Sequence, residues 1–233
     1  MGEDMIETWF GTPIYYADLS PSDKDSAMMN QYLTNFHESE QSHLAAPGQY
    51  FSQSDRPNLT GDVYGDYQIA SQKPFRWLNK QINIHMEKFL EKLGVQKDIF
   101  SFHAQKSWPV VVEDGGLVYL HNHSNAHFSC VYYIQTEKGN DSGKLSFTSS
   151  NSILESLPLR YTEQNNLNIS TVKYKAVQDR LIIFPSELKH EVETYSGRTP
   201  RYSVSYDLTV TLGNNSQGDN EFCLTNPSNW VEL

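Results

Sequence analysis

The segment from Leu120 to Ile134, LHNHSNAHFSCVYYI, holds three of the chain's eight histidines and ends in an aromatic run typical of a buried strand. His121 and His123 stand two residues apart, so in an extended strand both imidazoles point to one face, toward the inside of a barrel. Neutral imidazole is a common ligand for Fe, Zn, Cu and Ni, and two adjacent imidazoles are costly to bury without partners. The pair alone is compatible about equally with a metal site and with a hydrogen-bonded or surface pair, so a third ligand has to decide.

His190 is the candidate for that third ligand. It follows the apolar run RLIIF and a turn that contains Pro185, and it stands at the start of a new strand. Jelly rolls bring such distant strand ends together. His103 can also face inward, whereas His127 follows the turn-like SNA, so that a hydrogen-bonding role and a substrate-facing role both stay open for it. The other three histidines are typical of ordinary helix or loop positions: His37, His43 and His85.

A second pattern with chemical potential is RYSVSY, which begins eleven residues after His190. In a strand, Arg201, Ser203 and Ser205 share one face, so a guanidinium and hydroxyl groups can point into the same barrel mouth. An Arg fork donates two parallel hydrogen bonds to a planar anion, which is typical of a carboxylate site. The alternative is a surface Arg on an edge strand. The position of Arg201 just after His190, the candidate distal ligand, favours the carboxylate site over this alternative.

The elements that must position these residues are short strands. Eight β-rich runs separated by turn residues follow Gly94, between about residues 99 and 212. This spacing predicts an all-β core, a jelly roll or barrel. None of the runs alternates with helices long enough for βαβ crossovers, which excludes a doubly wound nucleotide-binding fold.

The first part of the chain, to about residue 98, predicts a strand and two helices that support the barrel. An early strand near 14–16 is followed by an amphipathic helix over 26–36, capped by Ser22 or Asp23. A clearer apolar stripe begins after Pro74 and ends at Gly94. Residues 38–71 predict a long loop, and such loops often act as lids over a functional site. Residues 213–233 form a polar tail, and the whole chain is expected to be a single domain.

Composition narrows the class of protein. The net charge of −10 and the pI near 5.2 argue against a nucleic-acid-binding protein. The apolar runs are too short to cross a bilayer, and the start of the chain lacks the features of a signal peptide, so we expect a cytoplasmic protein with no membrane partner. The two cysteines, Cys130 and Cys223, give no disulfide framework, and Cys130 is expected to pack on its strand.

These motifs together resemble the 2-oxoglutarate/Fe(II)-dependent dioxygenase superfamily. Its members carry an HxD or HxE pair, a distal His, and an Arg about ten residues later followed by x-Ser. The chain is more closely similar to a branch found in bacteria and phages, through FGTPIYYADL, HNHSNAHFSCVYY, FPSELKHEV and RYSVSY. The resemblance runs from about residue 9 to about residue 210.

The resemblance implies a double-stranded β-helix (a cupin-like jelly roll) that binds Fe(II) and 2-oxoglutarate. The metal ligands would be His121, His123 and His190. Residues expected around the cosubstrate and substrate are Arg201 and Ser203 at the far carboxylate, Tyr133 and Tyr119 as further contacts, and His127 and Trp108 as substrate-facing side chains. Two positions depart from the pattern: His123 stands where a carboxylate ligand is expected, and Cys130 replaces a Gly.

The leading hypothesis is therefore an oxygenase that uses O2 and 2-oxoglutarate to hydroxylate an unknown organic substrate, a small molecule or a protein, at a three-histidine site. A second hypothesis is a three-histidine, cupin-type dioxygenase that does not use 2-oxoglutarate. A third is a non-catalytic metal-binding jelly roll, such as a sensor or a phage protein. A homodimer is compatible with the sequence, which does not fix the oligomeric state.

Overall fold

Ten strands form two antiparallel sheets in the part of the chain that the computed structural model describes, which comprises residues 11–40, 58–61, 68–96, 99–149, 160–213 and 227–232. The first five strands are β1 (Tyr15–Asp18), β2 (Asn58–Thr60), β3 (Phe100–Val112), β4 (Val118–His121) and β5 (Phe128–Gln135). The other five are β6 (Leu145–Thr148), β7 (Thr171–Tyr174), β8 (Arg180–Pro185), β9 (Lys189–Val192) and β10 (Arg201–Leu212). All eight β-rich runs that the sequence predicted after Gly94 are thus strands.

The large sheet has the strand order β1-β8-β5-β10-β3-β2, and the small sheet has the order β4-β9-β6-β7. Between the sheets lies an apolar cluster that includes Tyr133, Phe147, Ile182 and Phe184. This arrangement of two facing antiparallel sheets confirms the predicted jelly roll.

Two helices cover the outer face of the large sheet: α1 (Asp23–Glu40) and α2 (Arg76–Lys92). Their buried residues, among them Leu33 and Met86, pack with alternate residues of the central strands. The Ser22 hydroxyl accepts the amide of Asp25 at the start of α1, as the capping prediction required. Gly94 follows α2 with φ +75°, the left-handed conformation typical of a helix C-terminus.

Successive side chains of β10 point to opposite faces of the large sheet, and the two faces have different surroundings. Tyr202, Val204 and Tyr206 pack in the core under the helices. Arg201, Ser203, Ser205 and Asp207 point the other way and line a cavity between the sheets. The strand in the middle of the barrel therefore presents a row of polar and charged groups to one space.

The predicted loop over 38–71 is only partly correct. Helix α1 extends to Glu40, β2 pairs with β3 through Leu59 and Val111, and a 3-10 turn spans Ile69–Ser71. Burial of the apolar Leu59 side chain stabilises this additional strand. Most of the predicted lid, like Cys223, lies outside the described residues. The single-domain organisation stays a prediction.

Candidate metal centre

Three imidazoles meet at one end of the cavity. The candidate ligand atoms of His121, His123 and His190 all lie within 4.8 Å of one another. His121 and His190 are direct register partners across β4 and β9, which places their side chains next to each other. His123 lies beyond the end of β4, where its amide donates to the carbonyl of Ser186 (2.9 Å).

All three rings are oriented through the same nitrogen. The Nδ1–H of His121 donates to the Tyr119 carbonyl (2.7 Å), and that of His190 donates to the Leu188 carbonyl (2.9 Å). The Nδ1–H of His123 donates to Asp207 Oδ1 (2.5 Å). Because carbonyl and carboxylate oxygens only accept, each neutral ring carries its proton on Nδ1 and keeps its lone pair on Nε2. Three Nε2 lone pairs are the donor set that a divalent transition metal requires.

His190 is the most enclosed of the three ligands, with 5% of its surface exposed. The rings of Phe184 and Phe147 surround it, with centroids 4.8 Å and 6.0 Å from its own. Burial and the neighbouring His121 lower the pKa of His190 to about 3. Its imidazole is therefore neutral at physiological pH, which is the state that binds metal.

Asp207 belongs to a buried network behind His123. The same Oδ1 that accepts from His123 also accepts from the Ser129 hydroxyl (2.8 Å), and Ser129 is hydrogen-bonded to the Ser186 hydroxyl (2.8 Å). The residues of this network come from β5, β10 and the turn before β9. The carboxylate is thus fixed from two sides and faces the imidazole directly.

Arg201 is a buried cation in the wall of the same cavity, with 1% of its surface exposed. Its Nη1 donates to the carbonyl of Gly143 (2.6 Å), whereas Nε has no hydrogen-bond partner among the described residues. No described carboxylate forms an ion pair with it, and burial lowers the pKa of its guanidinium. A buried guanidinium with an unused donor is a site for an anion, and a carboxylate fits its geometry.

The other side chains predicted for the site line different parts of the cavity: Tyr133, Ser203, Trp108 and Tyr119. Tyr133 and Ser203 are register partners on β5 and β10, both are buried, and both line the cavity beside Arg201. Trp108 also lines it and stacks on His123, with ring centroids 5.6 Å apart. Tyr119 lies at the mouth with 56% of its surface exposed. The cavity has a volume of about 830 Å³, enough for a small dicarboxylate and part of a second molecule.

Two details of the histidine predictions need correction. The strand argument placed both imidazoles of the HxH pair inside the barrel, and both line the cavity, but β4 ends at His121, which is an exposed residue. The turn after His121, not strand alternation, brings His123 to the cavity. His127 and His103 are not among the cavity-lining residues: the Nδ1 of His127 accepts the amide of Val210 (3.0 Å), and His103 pairs with Thr211.

Sequence reasoning missed Asp207 and Gly143. Asp207 continues the alternation of Arg201, Ser203 and Ser205, so its direction was available from the pattern RYSVSYD. Gly143 has φ +62°, and a Cβ there would lie 3.1 Å from Arg201 Nη1. No local signal predicts that contact, because it depends on how the turn before β6 meets β10.

Comparison with known protein families shows what the segment that carries this site is similar to. Residues 106–207 match the family described as "Putative 2OG-Fe(II) oxygenase". Residues 106–207, which make up less than half of the chain, are thus similar to the 2OG-Fe(II) oxygenase family. The matched segment contains β4 to β9 and includes His121, His123, His190, Arg201 and Asp207. This match bears out the resemblance to the dioxygenase superfamily, whose members use Fe(II), 2-oxoglutarate and O2.

Two solved structures, AviO1 and HygX, have the same fold. AviO1 from Streptomyces viridochromogenes Tue57 is 8% identical, with a TM-score of 0.53 over 85% of this chain and 90% of its own. HygX from Streptomyces hygroscopicus, solved with nickel and 2-oxoglutarate bound, is 9% identical, with a TM-score of 0.50 over 85% and 82%. An oxidoreductase of the 2OG-Fe(II) oxygenase family from Burkholderia pseudomallei is 12% identical, with a TM-score of 0.41 over 58% of this chain; the chain spans only 55% of its length.

A search of curated proteins gave no match. Within the described residues, no helix is long and apolar enough to cross a membrane.

Proposed function

We propose that this chain is an Fe(II)- and 2-oxoglutarate-dependent oxygenase that hydroxylates an organic substrate in the cavity between the two sheets. The observation that carries the proposal is the presence of two complementary sites in one cavity. At one site, the candidate ligand atoms of His121, His123 and His190 lie within 4.8 Å of one another. At the other, Arg201 is buried without an anionic partner among the described residues.

His121, His123 and His190 would hold the metal, and Arg201 with Ser203 would bind the far carboxylate of 2-oxoglutarate. When bound, Fe(II) and 2-oxoglutarate supply the oxidative decarboxylation that lets one oxygen atom of O2 enter a substrate C–H bond. The side chains of the protein bind these two groups and fix their orientation. Nδ1 hydrogen bonds fix the three rings, and the buried guanidinium selects a dicarboxylate over a monocarboxylate.

Tyr133 and Trp108 complete the walls of the cavity. Tyr133 packs its ring 5.6 Å from the Arg201 guanidinium and covers that end of the cavity. Trp108 is largely buried and covers His123, so the substrate has to approach from the mouth beside Tyr119. Exclusion of water strengthens the charge interactions of Arg201 with an anion.

Arg201 also favours this function over the two alternatives. Neither a dioxygenase that binds its substrate without 2-oxoglutarate nor a metal-binding module without catalysis requires a fully buried guanidinium whose Nε lacks a hydrogen-bond partner among the described residues. Burial of an uncompensated charge costs several kcal/mol, on the order of the desolvation penalty of a single ion. An anionic cosubstrate offsets that cost.

The test is an anaerobic titration of the metal-free protein, first with Fe(II) and then with 2-oxoglutarate. We expect tight Fe(II) binding, followed by the weak visible metal-to-ligand charge-transfer band of a bidentate 2-oxoglutarate complex. The band should be absent from His190→Ala and present in His85→Ala, a matched variant whose histidine binds Tyr15 on the far side of the large sheet. Fe(II) binding without any band on addition of 2-oxoglutarate would refute the proposal.

A further inference from the structure

The metal centre has three neutral ligands where 2-His-1-carboxylate oxygenases have a carboxylate in the coordination sphere. Yet a carboxylate lies directly behind one of the three. Asp207 Oδ1 is 2.5 Å from His123 Nδ1, and Asp207 is 8% exposed. Among the three candidate ligands, His123 donates its Nδ1–H to a carboxylate, whereas His121 and His190 donate theirs to backbone carbonyls.

His123 is also the ligand at the position where the superfamily pattern has Asp or Glu. We propose that Asp207 supplies the negative charge of this metal centre through His123, as a positioning residue one hydrogen bond away from the metal. This inference rests on the proposed function, because it requires that His123 binds the metal through Nε2.

Asp207 would act in two ways. A carboxylate that accepts the Nδ1–H fixes the ring and its tautomer, and it raises the electron density on Nε2, so the imidazole becomes a stronger donor. It also restores the charge balance of the cavity. With Asp207 included, the charges of Fe(II), 2-oxoglutarate, Arg201 and Asp207 sum to zero, as they would with a directly bound carboxylate.

The surrounding contacts fit this role better than a purely structural one. Besides His123, Ser129 is the one described side chain that donates a hydrogen bond to Asp207, and no described Lys or Arg forms an ion pair with the carboxylate. Burial of an ionised carboxylate with two donors and no cation is unfavourable in the metal-free protein. A dication bound on the other side of the His123 ring would compensate for it.

The test compares Asp207→Asn with Asp179→Asn in the full chain. Asn at 207 keeps the shape and the acceptor oxygen but removes the charge. Asp179 is a matched control because its carboxylate accepts one hydroxyl hydrogen bond, from Tyr132 (2.7 Å), and it does not line the cavity. Fe(II) affinity is measured anaerobically against a competing chelator, and the charge-transfer band is recorded after addition of 2-oxoglutarate.

For Asp207→Asn we expect an Fe(II) affinity about 10-fold to 100-fold weaker than wild type, the usual effect of losing such an outer partner. The charge-transfer band should move to shorter wavelength, because a poorer imidazole donor makes the iron harder to oxidise. Asp179→Asn should change neither quantity. Wild-type affinity and an unmoved band in Asp207→Asn would overturn the inference and leave the proposed function intact. Failure of wild type to bind Fe(II) would overturn both.

A measurement on the wild-type protein keeps the inference testable if Asp207→Asn does not fold. In the Zn(II)-loaded, 15N-labelled protein, the Nδ1 proton of His123 should resonate well downfield of the Nδ1 protons of His121 and His190. Those two rings are internal controls, since their acceptors are carbonyls. Three similar chemical shifts, or Nδ1 ligation by His123, would contradict a role for Asp207.

Discussion

Arg201 and Asp207 are opposite charges on the same face of β10, six residues apart and both buried against one cavity. At the rise of an extended strand they are about 20 Å apart, too far to form an ion pair with each other. Each therefore needs a partner at its own end of the cavity. The anion at the Arg201 end and the cation behind His123 are the complementary charges, which is why a metal and a dicarboxylate fit this site together.

Arg201→Lys should weaken 2-oxoglutarate binding without changing Fe(II) affinity. Lysine keeps the positive charge but loses the planar fork that binds a carboxylate with two hydrogen bonds. The loss of one charge-assisted hydrogen bond is worth about 1.5 to 3 kcal/mol, so the Kd of 2-oxoglutarate should rise by about 10-fold to 100-fold. The measurement is the titration of the charge-transfer band at fixed Fe(II).

Arg180→Lys is the control for that variant. Arg180 pairs with Asp18 at the protein surface through Nε and Nη2 and does not line the cavity. It should bind 2-oxoglutarate as the wild type does. Equal affinities for Arg201→Lys and wild type would show that the cosubstrate carboxylate binds elsewhere.

His121→Ala and His190→Ala should both abolish tight metal binding but differ in their effect on folding. His190 is packed between aromatic rings, so its removal leaves a cavity and should cost about 1 to 3 kcal/mol of unfolding free energy. His121 is exposed, so its removal should change stability little. Isothermal titration with Fe(II) measures the first effect, and denaturant unfolding of the metal-free proteins measures the second. Retained binding in His121→Ala would exclude that ring from the metal site.

The sequence was most informative about the fold where burial repeats with a fixed period. All eight runs after Gly94 became strands, since alternating residues had to face the helices on one side and the cavity on the other. Strand β2 was not predicted because its three residues are too few to show a period. It exists because β3 offers a free edge on which Leu59 can be buried.

The candidate site was predictable in its residue types and less so in its geometry. His190 and Arg201 were found from their places at strand starts, and both line the cavity. His127 carried the same chemical signal as His121, but its ring accepts a backbone amide from β10 instead. Asp207 was missed because its importance depends on the contact with His123, 84 residues away in sequence, and residue type alone does not reveal a partner so distant.

Leu33→Ala should destabilise the protein by about 2 to 5 kcal/mol, because Leu33 is fully buried between α1 and the large sheet. Loss of its side chain leaves a cavity that the two helices cannot close. Leu93→Ala, at an exposed position after α2, should cost much less. Urea unfolding followed by circular dichroism compares the two. Similar losses would mean that the helices do not contribute a packed layer to the fold.

Gly143→Ala should weaken 2-oxoglutarate binding through Arg201. The new Cβ would lie 2.9 Å from Tyr195 Cδ2 and 3.1 Å from Arg201 Nη1, so the guanidinium has to move from the carbonyl that orients it. Alanine is also strained at φ +62°, at a cost of about 1 to 3 kcal/mol in unfolding free energy.

Gly139→Ala separates the two effects. Gly139 has φ +82°, but a Cβ there meets nothing within 4 Å, so this variant carries the backbone strain without the contact to Arg201. Both variants should lose stability, whereas only Gly143→Ala should show a raised Kd for 2-oxoglutarate in the charge-transfer titration. If Gly139→Ala raised the Kd equally, the loss would come from general destabilisation, and the turn before β6 would have no specific part in holding Arg201.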